Sequence, residues 1–237
     1  MGKSDGTSAG KGGSMHIFDV SKRFMGGHAI VGGQLPISCG LGFASKYKKE
    51  NSIVLCFLGD GAVNEGEFHE SMNLASLWKL PILFCLENNL YGMGTHVNKT
   101  RSSGEDIYKI ADSYKIPSIQ VDGMDVLEMQ KATQQSIDKI KSGQGPVFLE
   151  AMCYRFRGHS MSDPSSYRKS QEVIEWQKND PIIKFEKFLS SQNLIDQKKT
   201  LEIKESVNSE ISDCIEFAQN SPDPKIEALF ENVYENE

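Results

Sequence analysis

Residues 53–89 read IVLCFLGDGAVNEGEFHESMNLASLWKLPILFCLENN. The first six are a continuous apolar run that opens on β-branched residues and stops at Gly59-Asp60-Gly61, which fits a buried parallel strand entering a tight turn. From 65 to 78, Phe68, Met72, Ala75 and Leu77 recur at near-helical spacing, and Pro81 then opens a second apolar run over 82–87. This is one strand–helix–strand unit. The alternation continues with a short helix predicted near 107–114, a strand at 118–121, a helix at 126–141 and a strand at 147–152. Such a pattern predicts an α/β fold, a mostly parallel sheet with helices on both faces. Ligands of such sheets sit beyond the carboxyl ends of the strands.

Upstream, residues 32–49 (GGQLPISCGLGFASKYKK) mix small and apolar residues and predict a buried helix whose Gly and Ala positions admit a close backbone neighbour. The Gly-, Ser- and Lys-rich start reads as a loop, and a domain opening on an uncapped loop suggests further structure upstream. After Tyr154 comes a polar loop, RFRGHSMSDPSSYR, and then Lys- and Glu-rich segments with apolar residues at helical intervals. Amphipathic helices are expected at 182–189, 200–217 and 225–233, packing on the domain or on a partner. The resulting division is an α/β domain over 1–155, a loop over 156–170 and a helical C-terminal extension over 171–237.

The chain has 237 residues, 38% of them hydrophobic and 24% charged, enough for a full core. Its formal net charge of -6, with Lys and Arg scattered, provides no basic stripe for a phosphate backbone, so nucleic acid is not expected as a partner. No stretch reaches the roughly 18 consecutive apolar residues of a membrane helix. Cys39, Cys56, Cys85, Cys153 and Cys214 form no CxxC pair, and the first four sit in apolar runs. They read as structural thiols of a reducing compartment, with bacterial cytoplasm and an organelle matrix both open.

Gly59-Asp60-Gly61 ends one predicted strand and Asn88-Asn89 ends the next, with Asn89 lying 29 positions after Asp60. Adjacent parallel strands bring these together. A carboxylate, an amide oxygen and a carbonyl from the following turn form a hard-oxygen set suited to Mg2+, which usually shares its coordination with a ligand's phosphates. The glycines admit a diphosphate to the backbone, and the helix start after Gly61 offers free N–H groups. A GDG turn alone is commonplace; its pairing with the strand-end NN carries the information.

The successive runs GKGGSMH, GGHAIVGGQ, GDGAVNEGEFHESMNLASLWKLPI, ENNLYGMGT, VDGMDV and YRFRGHSMSDPSSYR resemble, in register over about residues 10–168, the alpha subunit of the thiamine-dependent decarboxylase of pyruvate dehydrogenase complexes. The resemblance implies a thiamine-diphosphate-binding fold. Asp60 and Asn89 would then be side-chain ligands of Mg2+, with Tyr91 adding its backbone carbonyl. Gly61 and Ala62 would donate N–H groups to the diphosphate of thiamine diphosphate. Ala29 and Val31 would run along the aminopyrimidine through their backbone, although the family often has Gly where Ala29 stands. His159 would lie near the diphosphate and the reacting carbon, able to donate a hydrogen bond or proton during acyl transfer.

The same resemblance implies an enzyme acting on pyruvate and passing the acetyl group to the lipoyl group of an acyltransferase. The Glu that activates thiamine comes in this family from a beta subunit, so an alpha2beta2 assembly with a shared site is expected and this chain alone should be inactive. Glu65, Glu67 and Glu70 are given no catalytic task. Ser160 and Ser166 match hydroxyls phosphorylated by regulatory kinases in some members. Family members usually carry further upstream residues, including an aromatic–Arg pair that contacts the diphosphate. Related 2-oxo acid or acetoin dehydrogenase alpha subunits, and a non-catalytic alpha-type subunit that holds a beta partner, stay open. A general nucleotide-phosphate binder is disfavoured because no GxxxxGK[ST] loop follows a strand.

Overall fold

The computed structural model describes residues 1–102 and 104–233, so the last four residues of the predicted C-terminal extension lie outside the described residues. The chain divides into two compact units, one over Ile30–Ser191 and one formed by Met1–Ala29 with Gln192–Glu237.

The larger unit is built on a parallel sheet. Helix α1 (Gln34–Tyr47) precedes strand β1 (Val54–Gly59), and a short 3-10 turn (Asp60–Asn64) leads into α2 (Gly66–Leu77) and β2 (Ile82–Asn88). A two-stranded hairpin follows, β3 (Tyr91–Gly92) with β4 (Thr95–His96), then a 3-10 helix (Ile107–Tyr114), β5 (Ser118–Asp122), α3 (Val126–Lys141) and β6 (Val147–Met152). The four long strands lie in the order β1-β2-β6-β5, all parallel. Their carboxyl ends therefore open on one side, at Gly59, Asn88, Asp122 and Met152.

Layering follows from strand alternation. On one face Cys56, Leu58, Ile82, Phe84, Leu86 and Phe148 meet α1, α2 and the 107–114 helix. On the other, Leu83, Cys85, Val147 and Leu149 meet Ala132 and Ile140 of α3. The Phe68 and Phe148 rings pack edge to face at 5.9 Å, and burying each such side chain contributes about 1.5–3 kcal/mol. Helix α1 comes close to β2 at Gly42, where a Cβ would sit 2.9 Å from Ile82 Cγ1. The close neighbour at Gly42 is thus a side chain rather than the backbone expected from the small residues of α1.

The alternation of elements is as the sequence predicts, with differences at the margins. The 107–114 segment is wound as a 3-10 helix, burying only Ile107 and Ala111 before Lys115 turns left-handed at φ 55°. Strand β1 is apolar throughout, yet Leu55 and Phe57 remain more than half exposed, because α3 covers β2, β6 and β5 rather than β1. Helix α3 starts where Asp125 accepts from the backbone N–H groups of Leu127 and Glu128.

After β6, residues 153–169 hold no regular element until α4 (Ser170–Gln177) and α5 (Pro181–Ser191). The smaller unit contains α6 (Gln197–Asn220), longer than the predicted 200–217 helix, and ties its two ends through Ser4 N–H to Pro222 O at 3.0 Å and a Lys3–Asp223 ion pair at 2.8 Å. The helix expected over 225–233 reduces to one 3-10 turn, Ile226–Leu229. Pro222 and Pro224 precede it, and no side chain caps its start.

All five cysteines are free thiols. Burial pushes Cys56 and Cys85 up to about 11 and Cys153 up to about 12, so these three stay protonated at neutral pH, as befits structural thiols. Among the described residues no helix is long and apolar enough to cross a membrane.

Candidate functional site

Parallel pairing of β1 with β2 sets Gly59 opposite Glu87, so the two strand-end motifs leave the sheet side by side. Asp60 is buried, with 3% of its surface exposed. Among the described residues no cation lies within ion-pairing distance of it. Burial raises its pKa above the ordinary 3.8, against the lowering influence of the backbone N–H groups of Asp60 itself and Asn89 and of the charges on Arg155 and His96.

Beyond Asn88 the chain makes two tight side-chain turns. Leu90 N–H donates to Asn88 Oδ1 at 3.0 Å and Tyr91 N–H to Asn89 Oδ1 at 3.2 Å, with Leu90 left-handed at φ 70°. These bonds carry the chain back over the GDG turn. A Cβ on Gly92 would lie 3.4 Å from Gly61 Cα and 3.7 Å from Asp60 Oδ2, so the Tyr91–Gly92 backbone faces the buried carboxyl across glycine on both sides. Asp60, Asn89 and Tyr91 are thus gathered at one sheet end.

Gly61 and Ala62 lie in the 3-10 turn rather than in the first turn of α2, and no side chain caps that turn. Val31 is exposed. The turn holding it adjoins the same region, because a Cβ on Gly32, at φ 84°, would meet Glu65 Cβ at 3.1 Å. Ala29 closes the smaller unit and is exposed there.

His159 is exposed on the 153–169 segment, its Nδ1 3.5 Å from Arg155 Nη1. Arg155 also donates to Met93 O at 2.8 Å and to the Tyr167 hydroxyl at 3.3 Å, tying the loop to the β3–β4 hairpin. Arg168 closes the loop's base by donating to the carbonyls of Arg155, Phe156 and Arg157, while its guanidinium lies over the Tyr154 ring at 5.2 Å. Ser160 Oγ is 3.1 Å from Ser162 Oγ, and Ser166 is exposed.

Several residues outside the sequence reading organise this region. Glu172 of α4 accepts from both the Tyr91 and Tyr154 hydroxyls, at 2.9 and 2.8 Å. His96 stands edge-on to Tyr91 at 5.0 Å. Arg155, Asp163 and Arg168 were visible in the motif flanking His159, but their task depends on how the loop bends. Glu150 had a signal: a charged residue inside the apolar run VFLEAM.

Among the described residues no three His, Cys, Asp or Glu side chains converge as a metal site. The expected set has one carboxylate, one amide and one carbonyl. A cavity of about 360 Å3 bordered by Lys46, Lys49, Lys79 and Lys141 lies instead near Ile53 and Pro81, at the amino ends of the strands, and so away from Asp60.

The family model for the dehydrogenase E1 component matches residues 1–227. The chain belongs to the dehydrogenase E1 component family. Within it, the chain is 44% identical over 234 residues to the pyruvate dehydrogenase E1 component subunit alpha of Rickettsia bellii (strain RML369-C), covering 99% of this chain and 72% of that one. It is 41% identical over 233 residues to the protein of the same name from Rhizobium meliloti (strain 1021), covering 98% and 67%. The Porphyra purpurea protein of that name is 40% identical over 236 residues, covering 97% and 68%. The similarity to these relatives extends over nearly the whole chain.

Proposed function

We propose that this chain is the alpha subunit of a thiamine-diphosphate-dependent pyruvate dehydrogenase, completing its active site with a beta subunit. The observation that carries the reading is the meeting of Asp60, Asn89 and the Tyr91–Gly92 backbone at the carboxyl end of β1 and β2. A buried carboxylate without an ion-pair partner is an unfavourable arrangement that a divalent cation relieves. The residues present fit Mg2+: Asp60 and Asn89 would hold it through side-chain oxygens and Tyr91 through its carbonyl.

Gly61 and Ala62, in a turn no side chain caps, supply N–H groups for the diphosphate. Val31 would contribute backbone beside the aminopyrimidine. Thiamine diphosphate, when bound, supplies the electron sink that lets CO2 leave a 2-oxo acid. The task of this chain is to bind and orient it, and to hold a proton donor at His159 for transfer of the acetyl group to the lipoyl group of an acyltransferase. Arg155 sets where that imidazole stands through its contact with Nδ1.

The test is a calorimetric titration of thiamine diphosphate and Mg2+ into the chain, alone and with a beta subunit, with Asp60→Ala as control. Binding that requires both Mg2+ and Asp60 is the expected result. No binding with the beta subunit present would show a non-catalytic alpha-type subunit.

A further inference from the structure

The charged side chain most completely removed from water in the larger unit is Glu150, in the middle of β6 and wholly buried. A carboxylate there needs partners for both oxygens. Among the described residues it has no cation within ion-pairing distance; three N–H donors serve it instead. Oε1 accepts from Asn88 Nδ2 at 2.7 Å, while Oε2 accepts from Tyr108 N–H at 2.9 Å and Gln120 Nε2 at 3.1 Å.

The bond to Asn88 has a directional consequence. Asn88 is itself wholly buried, and an amide has one donor end and one acceptor end. Because the Glu150 carboxylate accepts at 2.7 Å, Asn88 turns its NH2 toward β6, where it also reaches Glu105 O at 3.4 Å, and its Oδ1 toward the chain that follows. That oxygen then accepts Leu90 N–H at 3.0 Å. The bond holds Leu90 at φ 70°, a conformation a leucine adopts only when its surroundings impose it. The next bond, Tyr91 N–H to Asn89 Oδ1, completes the reversal that lays Tyr91–Gly92 against Asp60.

We propose that Glu150 is a positioning residue, acting through Asn88 to set the Asn89–Tyr91 turn at the end of β2; its consequence for Mg2+ rests on the cofactor reading given above. Removal of Glu150 leaves the sheet register intact but leaves the Asn88 amide oriented only by its longer 3.4 Å bond to Glu105 O, so the turn's acceptor for Leu90 is loosened. An amide in place of the carboxylate is sufficient for this. Glu150→Gln must keep its oxygen toward Tyr108 and Gln120, which points its NH2 at the NH2 of Asn88. If Asn88 rotates to accept, it confronts Leu90 N–H with a donor. Asn88→Asp alone instead opposes two carboxylates. Combined, Asn88→Asp with Glu150→Gln restores the pair between positions 88 and 150 with donor and acceptor exchanged, keeps the acceptor for Leu90 N–H, and loses only the longer 3.4 Å bond from Asn88 Nδ2 to Glu105 O.

Hydrogen–deuterium exchange on the full chain without ligand reads the turn directly. Each single variant is expected to speed exchange at Leu90 and Tyr91 by about tenfold or more, the loss expected for a bond to a buried charged group, with α1 and α3 unchanged. The double variant is expected to return toward the wild-type rate. In the assembly with a beta subunit, the Mg2+ concentration for half-maximal thiamine diphosphate binding should rise and recover in the same order. Wild-type exchange in Glu150→Gln overturns the proposal, as does a double variant no better than the singles or faster exchange spread equally through α1 and α3. If the exchange pattern holds while the wild-type assembly binds no Mg2+–thiamine diphosphate, the positioning role stands and the cofactor reading falls.

Discussion

The backbone N–H of His159 donates to Asp163 Oδ2 at 2.6 Å. The same carboxylate accepts Ser165 N–H at 2.8 Å and the Tyr167 hydroxyl at 2.8 Å. One side chain therefore holds three points of an otherwise irregular loop, and the place of His159 depends on a residue four positions later.

Asp163→Ala is accordingly expected to loosen the loop without unfolding the sheet. Trypsin should cut after Arg155, Arg157 or Arg168 severalfold faster, with the melting transition unchanged. The N–H groups of His159 and Ser165, and then the Tyr167 hydroxyl, hold the Asp163 carboxyl below its ordinary 3.8. A lowered carboxylate pKa contributes order that is complete above pH 3.8 and is lost as pH falls through the lower, folded-state value. The variant's excess sensitivity should thus be constant from neutral pH down to that region, as measured by proteolysis with an acid-active protease.

Asp60→Asn should have opposite effects on stability and on binding. Burial raises the Asp60 pKa, so this group favours the fold most below its unfolded value and disfavours it progressively as pH rises through the folded one. At neutral pH the ligand-free Asn variant is expected to melt above the wild type, and to lose Mg2+-dependent binding of thiamine diphosphate. Differential scanning fluorimetry with and without Mg2+ and cofactor measures both. A variant that melts below the wild type without ligand would show that the buried carboxylate is already compensated.

Tyr91 and Tyr154 are both pushed up to about 12, by burial first and then by donating to Glu172. In an ultraviolet titration these two should ionise well above the ordinary 10. Their contribution to stability is complete below pH 10 and disappears as pH rises through about 12. Glu172→Gln removes the negative charge facing both hydroxyls, and its expected signature is an earlier ionisation of these two groups together.

Asp125 caps α3 by accepting from the N–H groups of Leu127 and Glu128 at 3.0 and 3.2 Å, and pairs with Lys184 at 2.9 Å. Asp125→Ala should destabilise the larger unit by about 1 kcal/mol, the ordinary value of an N-cap. Lys184→Ala should cost less, because that lysine is partly exposed and screened. Urea denaturation of the two variants separates cap from ion pair.

Much of this architecture is legible because periodicity is local information. Residues 126–141 and 147–152 are a helix and a strand at the predicted limits, since Asp125 and the β-branched Val147 mark their starts within a few residues. The exposure of Leu55 and Phe57 was not legible: an edge strand and a central one have the same composition when only one face of the edge is covered. The roles of Arg155, Asp163, Arg168 and Glu172 were hidden for a related reason. Each acts on a residue whose nearness is created by a bend, not by spacing.

By itself the sequence determined the order of strands and helices, the carboxylate and amide at two strand ends, and the motifs of the dehydrogenase E1 component family. Only the tertiary structure decided that the Tyr91–Gly92 backbone folds back onto Asp60, and that Asn88 links Glu150 to the N–H of Leu90. The physical reason is that hydrogen bonds in the buried sheet end join residues as far as 62 positions apart. Which donor meets which acceptor there depends on the lateral order of β1, β2 and β6, and that order is a property of the packed sheet rather than of any one segment.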